Sequence, residues 1–111
     1  MKKLFALAVL ATLLSNTSAM ASDWQVIGVH VTVVEATYVP TIVDFQVDTA
    51  AGSSCPAGAW LTWKGQGPDL QAQRDNVKAV YALRLAAKLS QTPVNIFGNN
   101  AGCVVTFIHL Q

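Results

Sequence analysis

The chain has 111 residues, 52% of them of hydrophobic type, with seven basic residues, six acidic residues and two cysteines. That composition excludes a polar, low-hydrophobicity disordered chain, and the near balance of charge leaves no global electrostatic reason to bind nucleic acid. The length admits one domain with one modest core.

The chain opens on Met1-Lys2-Lys3, and Leu4 to Leu14 then carry no charged residue. A membrane-spanning helix needs roughly twenty apolar residues, so this run is too short to anchor the chain stably and fits the apolar region of a secretory signal. Ser15 to Ser18 form a polar break, and Ala19-Met20-Ala21 offers the small residues that a signal peptidase reads. The expectation is a signal peptide over 1–21, cut after Ala21, and a soluble domain over 22–111 exported to the periplasm or secreted. Two basic residues leave with the signal, so five basic and six acidic residues remain, a net charge of −1.

Trp24 to Val34 alternates, with Ile27, Val29, Val31 and Val33 on one side and Gly28, His30 and Thr32 on the other, which predicts a half-buried first strand. Pro40 interrupts; Val43, Phe45 and Val47 then alternate with Asp44, Gln46 and Asp48 as a second strand with one wet face. Thr49 to Gly58 reads as a loop and contains Cys55. Ala59 to Lys64 reads as a third strand that opposes Leu61 and Trp63 to Trp60 and Thr62.

Asp69 to Leu89 contains neither Gly nor Pro, which favours a long helix, with Lys88 in its last turn and Pro93 at its exit. On a helical wheel Ala72, Ala79, Val80, Ala82, Leu83, Ala86 and Ala87 form one shallow arc, the expected packing face. The opposite arc holds Arg74, Lys78, Arg84 and Lys88 with Val77, Tyr81 and Leu85 among them, a candidate interface with other subunits or an acidic partner. Val94 to Phe97 is a fourth strand, Gly98-Asn99-Asn100 a turn, and Cys103 to Leu110 a fifth strand with Cys103, Val105 and Phe107 on one side.

The expected fold is α+β and mainly β: a small five-stranded OB-like barrel with one helix between strands three and four, in the order β-β-β-α-β-β. Cys55 and Cys103 are expected to pair, because an exported chain meets an oxidising compartment and lacks the close spacing of a redox or metal motif. Such a bridge closes a loop of about 49 residues and contributes about 4 kcal/mol in the chain-entropy model.

No constellation for chemistry stands out. His30 and His109 are the two histidines, neither beside a nucleophile motif nor at a short metal-ligand spacing with Asp44 or Asp48. Gly65-Gln66-Gly67 runs into proline and lacks the lysine of a phosphate loop. No catalytic residue, metal or cofactor is therefore expected. The candidate ligand face is Trp60, Thr62 and Lys64 on one strand with Asp44 and Gln46 on its neighbour, since an aromatic on an OB-like face can stack on a sugar or a base.

The run Ala79-Val80-Tyr81-Ala82-Leu83, followed by Lys88-Leu89-Ser90-Gln91-Thr92-Pro93-Val94-Asn95-Ile96, resembles the OB-fold B subunits of pentameric bacterial toxins and related small exported bacterial proteins. In wording the resemblance covers residues 69 to 110, and elsewhere it rests on element order. It implies a ring-forming, glycan-binding subunit with helices lining the ring, and carries over no sugar-contacting residue. The expected function is thus an exported binding or interaction module that takes a glycan or a protein, as a homo-oligomer or with an exported partner. Two alternatives remain open: a minimal exported enzyme or an inhibitor of one, which needs a histidine in a cleft beside a carboxylate, and a single-stranded nucleic-acid binder, which needs a basic patch joining Lys64 to the helix.

Overall fold

The computed structural model describes residues 22–111, so the signal-peptide reading of residues 1–21 lies outside the described residues. The strands are β1 (Trp24–Val29), β2 (Val31–Glu35), β3 (Ile42–Val47), β4 (Leu61–Lys64), β5 (Val94–Asn99) and β6 (Val104–Leu110). One helix, α1 (Leu70–Ser90), lies between β4 and β5, and a 3-10 turn (Ala101–Cys103) precedes β6. All six strands form one sheet in the order β1-β5-β6-β4-β3-β2, antiparallel throughout except for the parallel pair β4–β6.

The mainly-β, α+β class expected from the sequence holds, but the strand count and order do not. The single strand expected over Trp24 to Val34 divides at His30, giving six strands. Its two halves stand at opposite ends of the sheet order although one residue separates them, and no ladder joins β1 to β2, so the sheet is not closed by hydrogen bonds.

Bulges explain why alternation failed to predict the inward side chains. Against β5, Val26 pairs with Ile96 and Val29 with Val94, so three steps on β1 meet two on β5. Gly28 sits in this irregularity at φ 71°, a left-handed conformation that a glycine adopts without a Cβ penalty, and its N–H donates to Asn95 Oδ1 at 2.9 Å. Against β3, Val31 pairs with Val47 and Val33 with Gln46, which inserts a second extra residue at Thr32. The core therefore receives Trp24, Val26, Val29, Val31 and Val34, whereas Ile27 and Val33, expected beside Val29 and Val31, are exposed. A third extra residue, Thr106, separates the pairs Phe97–Phe107 and Gly98–Val105. Val105 is buried and Phe107 exposed, correcting the expectation that both share a side.

The helix is rotated about its axis relative to the expected orientation: Val80 and Ala87 of the expected packing arc are buried, but the buried stripe is centred elsewhere. Asp69 caps it, accepting from the Ala72 N–H at 2.8 Å, and Gln91 ends it in a left-handed conformation, with Lys88 in the last turn as expected. Its buried residues are Val77, Val80, Arg84 and Ala87, packed chiefly over β2 with β3 and β4 beside it. Of the expected outer arc, Val77 and Arg84 are 0% exposed and Tyr81 packs against the core, while Arg74 and Lys78 face solvent. Ala79, Ala82 and Ala86, expected inside, are exposed. The physical reason is area: burying a valine gains about 1.5–3 kcal/mol, well above what an alanine methyl returns.

Arg84 follows Val77 and Val80 inward because a guanidinium can stack on an aromatic face. Its central carbon lies 3.4 Å from the Phe45 ring centroid and 5.6 Å from that of Trp63. One terminal nitrogen donates to the Val43 carbonyl at a long 3.4 Å, while Nε and the other terminal nitrogen have no partner among the described residues. Burial pushes this guanidinium well below its usual pKa, and the charge of Asp44 acts in the opposite direction.

The expected disulfide is present: Cys55 and Cys103 are bridged with their Cα atoms 5.8 Å apart. It ties the loop between β3 and β4 to the turn before β6, and Cys55 is fully buried. Near the bridge, Gly98 leaves room for the Trp24 ring, with which a Cβ at that position would collide.

Candidate functional site

Side chains alternate across a strand, so β3 sends Val43, Phe45 and Val47 into the core and Asp44 and Gln46 to the outer face. On β4 the same rule buries Leu61 and Trp63 and leaves Thr62 and Lys64 outside, with Trp60 just before the strand 49% exposed. Trp63 is fixed from within: its Nε1–H donates to Asn76 Oδ1 on the helix at 2.8 Å. Register then places Glu35 of β2 opposite Asp44 of β3, and Asp44 opposite Thr62 of β4.

This row opens into a cleft of about 340 Å³ lined by Glu35, Tyr38, Asp44 and Trp60. Tyr38, in the turn that joins β2 to β3, is 57% exposed. Each carboxylate is held by one of its oxygens. Asp44 Oδ1 accepts from the Thr62 hydroxyl at 2.6 Å. Glu35 Oε1 accepts from the Thr37 hydroxyl and from the Thr37 N–H, and these bonds, the hydroxyl first, lower the Glu35 pKa below its ordinary value. The second oxygen of each carboxylate has no partner among the described residues.

Of the five ligand-face residues expected from sequence, Asp44 and Trp60 line this cleft and Thr62 orients Asp44. Lys64 and Gln46 flank it on the same face, opposite Ile42 and Val33. Glu35 and Tyr38 were missed. The signal available for Glu35 was its place on the strand next to Asp44, hidden by the bulge at Thr32.

A second cleft, about 380 Å³, opens where β1 gives way to β2, lined by His30, Val31, Thr32, Asp48, Lys88 and Gln91. His30 Nδ1 lies 3.2 Å from Asp48 Oδ2, and the His30 N–H donates to Asp48 Oδ1 at 3.0 Å. The backbone hydrogen bond from His30 is the largest influence lowering the Asp48 pKa, reinforced by the imidazole and by Thr49. His109 instead meets Asn95 at 2.8 Å and the edge of the Phe107 ring, beside no carboxylate. Among the described residues no three His, Cys, Asp or Glu side chains gather as metal ligands, and no helix is long and apolar enough to cross a membrane. Compared with protein-family models, with curated proteins and with solved structures, the chain shows no match in any of the three.

Proposed function

We propose that the chain is an exported, non-enzymatic binding module of OB-like fold whose ligand face is the outer side of β2, β3 and β4. The OB-like reading is supported by β1 and β2 as two halves of one strand bent at His30, by their places at the two ends of the sheet order, and by the parallel β4–β6 pair. Export is supported by the Lys-Lys start, the short apolar run and the Cys55–Cys103 bridge. The observation that carries the binding reading is the cleft in which half-exposed Trp60 and Tyr38 stand beside Glu35 and Asp44.

A glycan is the first ligand class, because an aromatic platform beside carboxylate acceptors suits a sugar face and its hydroxyls. Titration with a panel of methyl glycosides, followed through Trp60 fluorescence, is expected to saturate for at least one member and to lose saturation in Tyr38→Ala. A panel without any saturable response overturns the glycan class. Oligomerisation through Val77, Tyr81 and Leu85 loses support, since these side chains pack inward or lie half-buried; a ring would have to use the alanine-rich outer face of α1. Light scattering decides this, and a strict monomer removes the ring. Burial of Arg84 likewise takes one cation from the surface a nucleic acid would need.

One observation favours a second reading. His30 lies in a cleft beside Asp48, the arrangement required for a minimal enzyme with His30 as general base and Asp48 orienting it. Loss of a hydrolytic activity in His30→Gln, with binding at Trp60 intact, would establish it; identical turnover in wild type and variant removes it.

A further inference from the structure

The geometry points to the Tyr38–Trp60 cleft as a site for a small organic ammonium ion, an inference that rests on the ligand face proposed above and names what that face takes. Glu35 and Asp44 stand directly opposite each other on the β2–β3 ladder, and like charges in that position destabilise a sheet. The described ion pairs, His30–Asp48 and Lys78–Asp75, involve neither carboxylate, and Lys64 on the same face reaches neither. Arg84 acts on Asp44 only from the far side of β3, with no hydrogen bond between them. Thr37 and Thr62 each occupy one carboxylate oxygen, which fixes the groups and leaves the other oxygen of each free for a ligand.

Two exposed aromatic side chains line the same cleft, with no lysine or arginine among its lining residues. Aromatic faces attract a cation through the ring quadrupole, and alkylated ammonium groups, being weakly hydrated, give up their water with little penalty. The volume of about 340 Å³ is at the lower end of small-molecule sites. An ammonium ion seated here would contact Tyr38 and Trp60 while placing a positive charge beside the opposed carboxylates of Glu35 and Asp44.

The test uses the oxidised domain and tetramethylammonium chloride as probe, with sodium chloride at matched ionic strength, calcium chloride and the methyl glycosides as parallel arms. Amide chemical shifts of Thr37 and Thr62 and the fluorescence of Trp60 are followed together. Tetramethylammonium is expected to give saturable changes with a dissociation constant on the order of millimolar, absent with sodium. The double variant Glu35→Gln/Asp44→Asn is expected to weaken binding at least about tenfold while keeping the far-UV circular dichroism of the wild type. Trp60→Ala, followed by the Thr62 amide alone, is expected to weaken it as well. A response equal to that of sodium, a response to calcium without one to tetramethylammonium, or unchanged affinity in the double variant each overturns the inference. Saturation by a glycoside with tetramethylammonium silent overturns it while leaving the ligand face standing, and silence in all arms removes both.

Discussion

The two faces of β3 present the same electrostatic problem with opposite signs. Inside, Arg84 is a fully buried cation stacked on Phe45; outside, one residue away along the strand, Asp44 faces Glu35. Among the described residues two nitrogens of Arg84 have no partner and no cation pairs with Asp44. The charges are complementary, yet alternation of the strand sends them to opposite sides of the sheet, so they influence each other only through it. The outer imbalance is open to solvent and to the proposed ligand, whereas the inner one is sealed. The proposed site and the buried charge therefore differ by a single step along β3. β4 carries a reporter on each face: Trp63 inside and Trp60 outside.

The disulfide gives the widest separation between the faces. Cys55→Ser/Cys103→Ser removes about 4 kcal/mol of loop-closure stabilisation, read from urea unfolding. The bridge tethers the loop that leads into Trp60 but not the helix that carries Arg84. In the folded variant acrylamide should quench Trp60 more strongly while Trp63 stays protected; equal quenching of both would show that the two faces loosen together.

Arg84→Met addresses the inner face directly. Replacing a buried, incompletely paired charge by an apolar chain of similar length is expected to stabilise the domain by about 1–4 kcal/mol. Because burial lowers the folded pKa of Arg84, the unfolded chain binds more protons at this site in the window between the folded value and the ordinary guanidinium value. Wild-type stability attributable to this residue consequently rises with pH across that window, and the advantage of Arg84→Met shrinks there. The difference between the two proteins isolates it from other titrations. A loss of several kcal/mol instead would mean that the guanidinium is fully satisfied. Asn76→Ala is a smaller perturbation of the same region: it leaves the Trp63 N–H buried without an acceptor, at a cost of about 1–3 kcal/mol, with little effect on Trp60.

Arg84 also shows where sequence reasoning stopped. A wheel sorts residues by polarity, so four cations defined the outside of α1 and drew Val77 and Tyr81 with them; nothing in the pattern announces that a guanidinium will lie on Phe45, 39 positions earlier in the numbering of a different element. The bulges at Gly28, Thr32 and Thr106 are equally silent, because an inserted residue changes the inward set without changing composition. Where the period ran unbroken, over Val43 to Val47 and Leu61 to Trp63, the faces were legible, and with them Asp44, Trp60 and Thr62. The Cys55–Cys103 pair was legible from the even count and the expected export alone. Glu35 and Tyr38 were not, since their place in the cleft depends on register and on a turn.

Asp48 offers the smallest effect and the sharpest contrast with Glu35 and Asp44, because this acid does have a basic neighbour. Its folded pKa is depressed, first by the His30 N–H and further by the imidazole, so its contribution to stability is present above the unfolded value near 3.8 and is lost as pH falls through the folded value. The pair is substantially exposed, and solvent screening limits that contribution to about 0–1 kcal/mol. Asp48→Asn should therefore flatten the acid limb of the stability curve slightly and leave neutral stability close to wild type. Glu35 also has a depressed folded pKa, held by the Thr37 hydroxyl and N–H, so Glu35→Gln should not raise the urea midpoint at neutral pH. It should, however, lower the affinity for tetramethylammonium, which Asp48→Asn leaves unchanged. If Asp48→Asn lowers that affinity as far as Glu35→Gln does, the distinction between a paired and an unpaired carboxylate on this sheet does not hold.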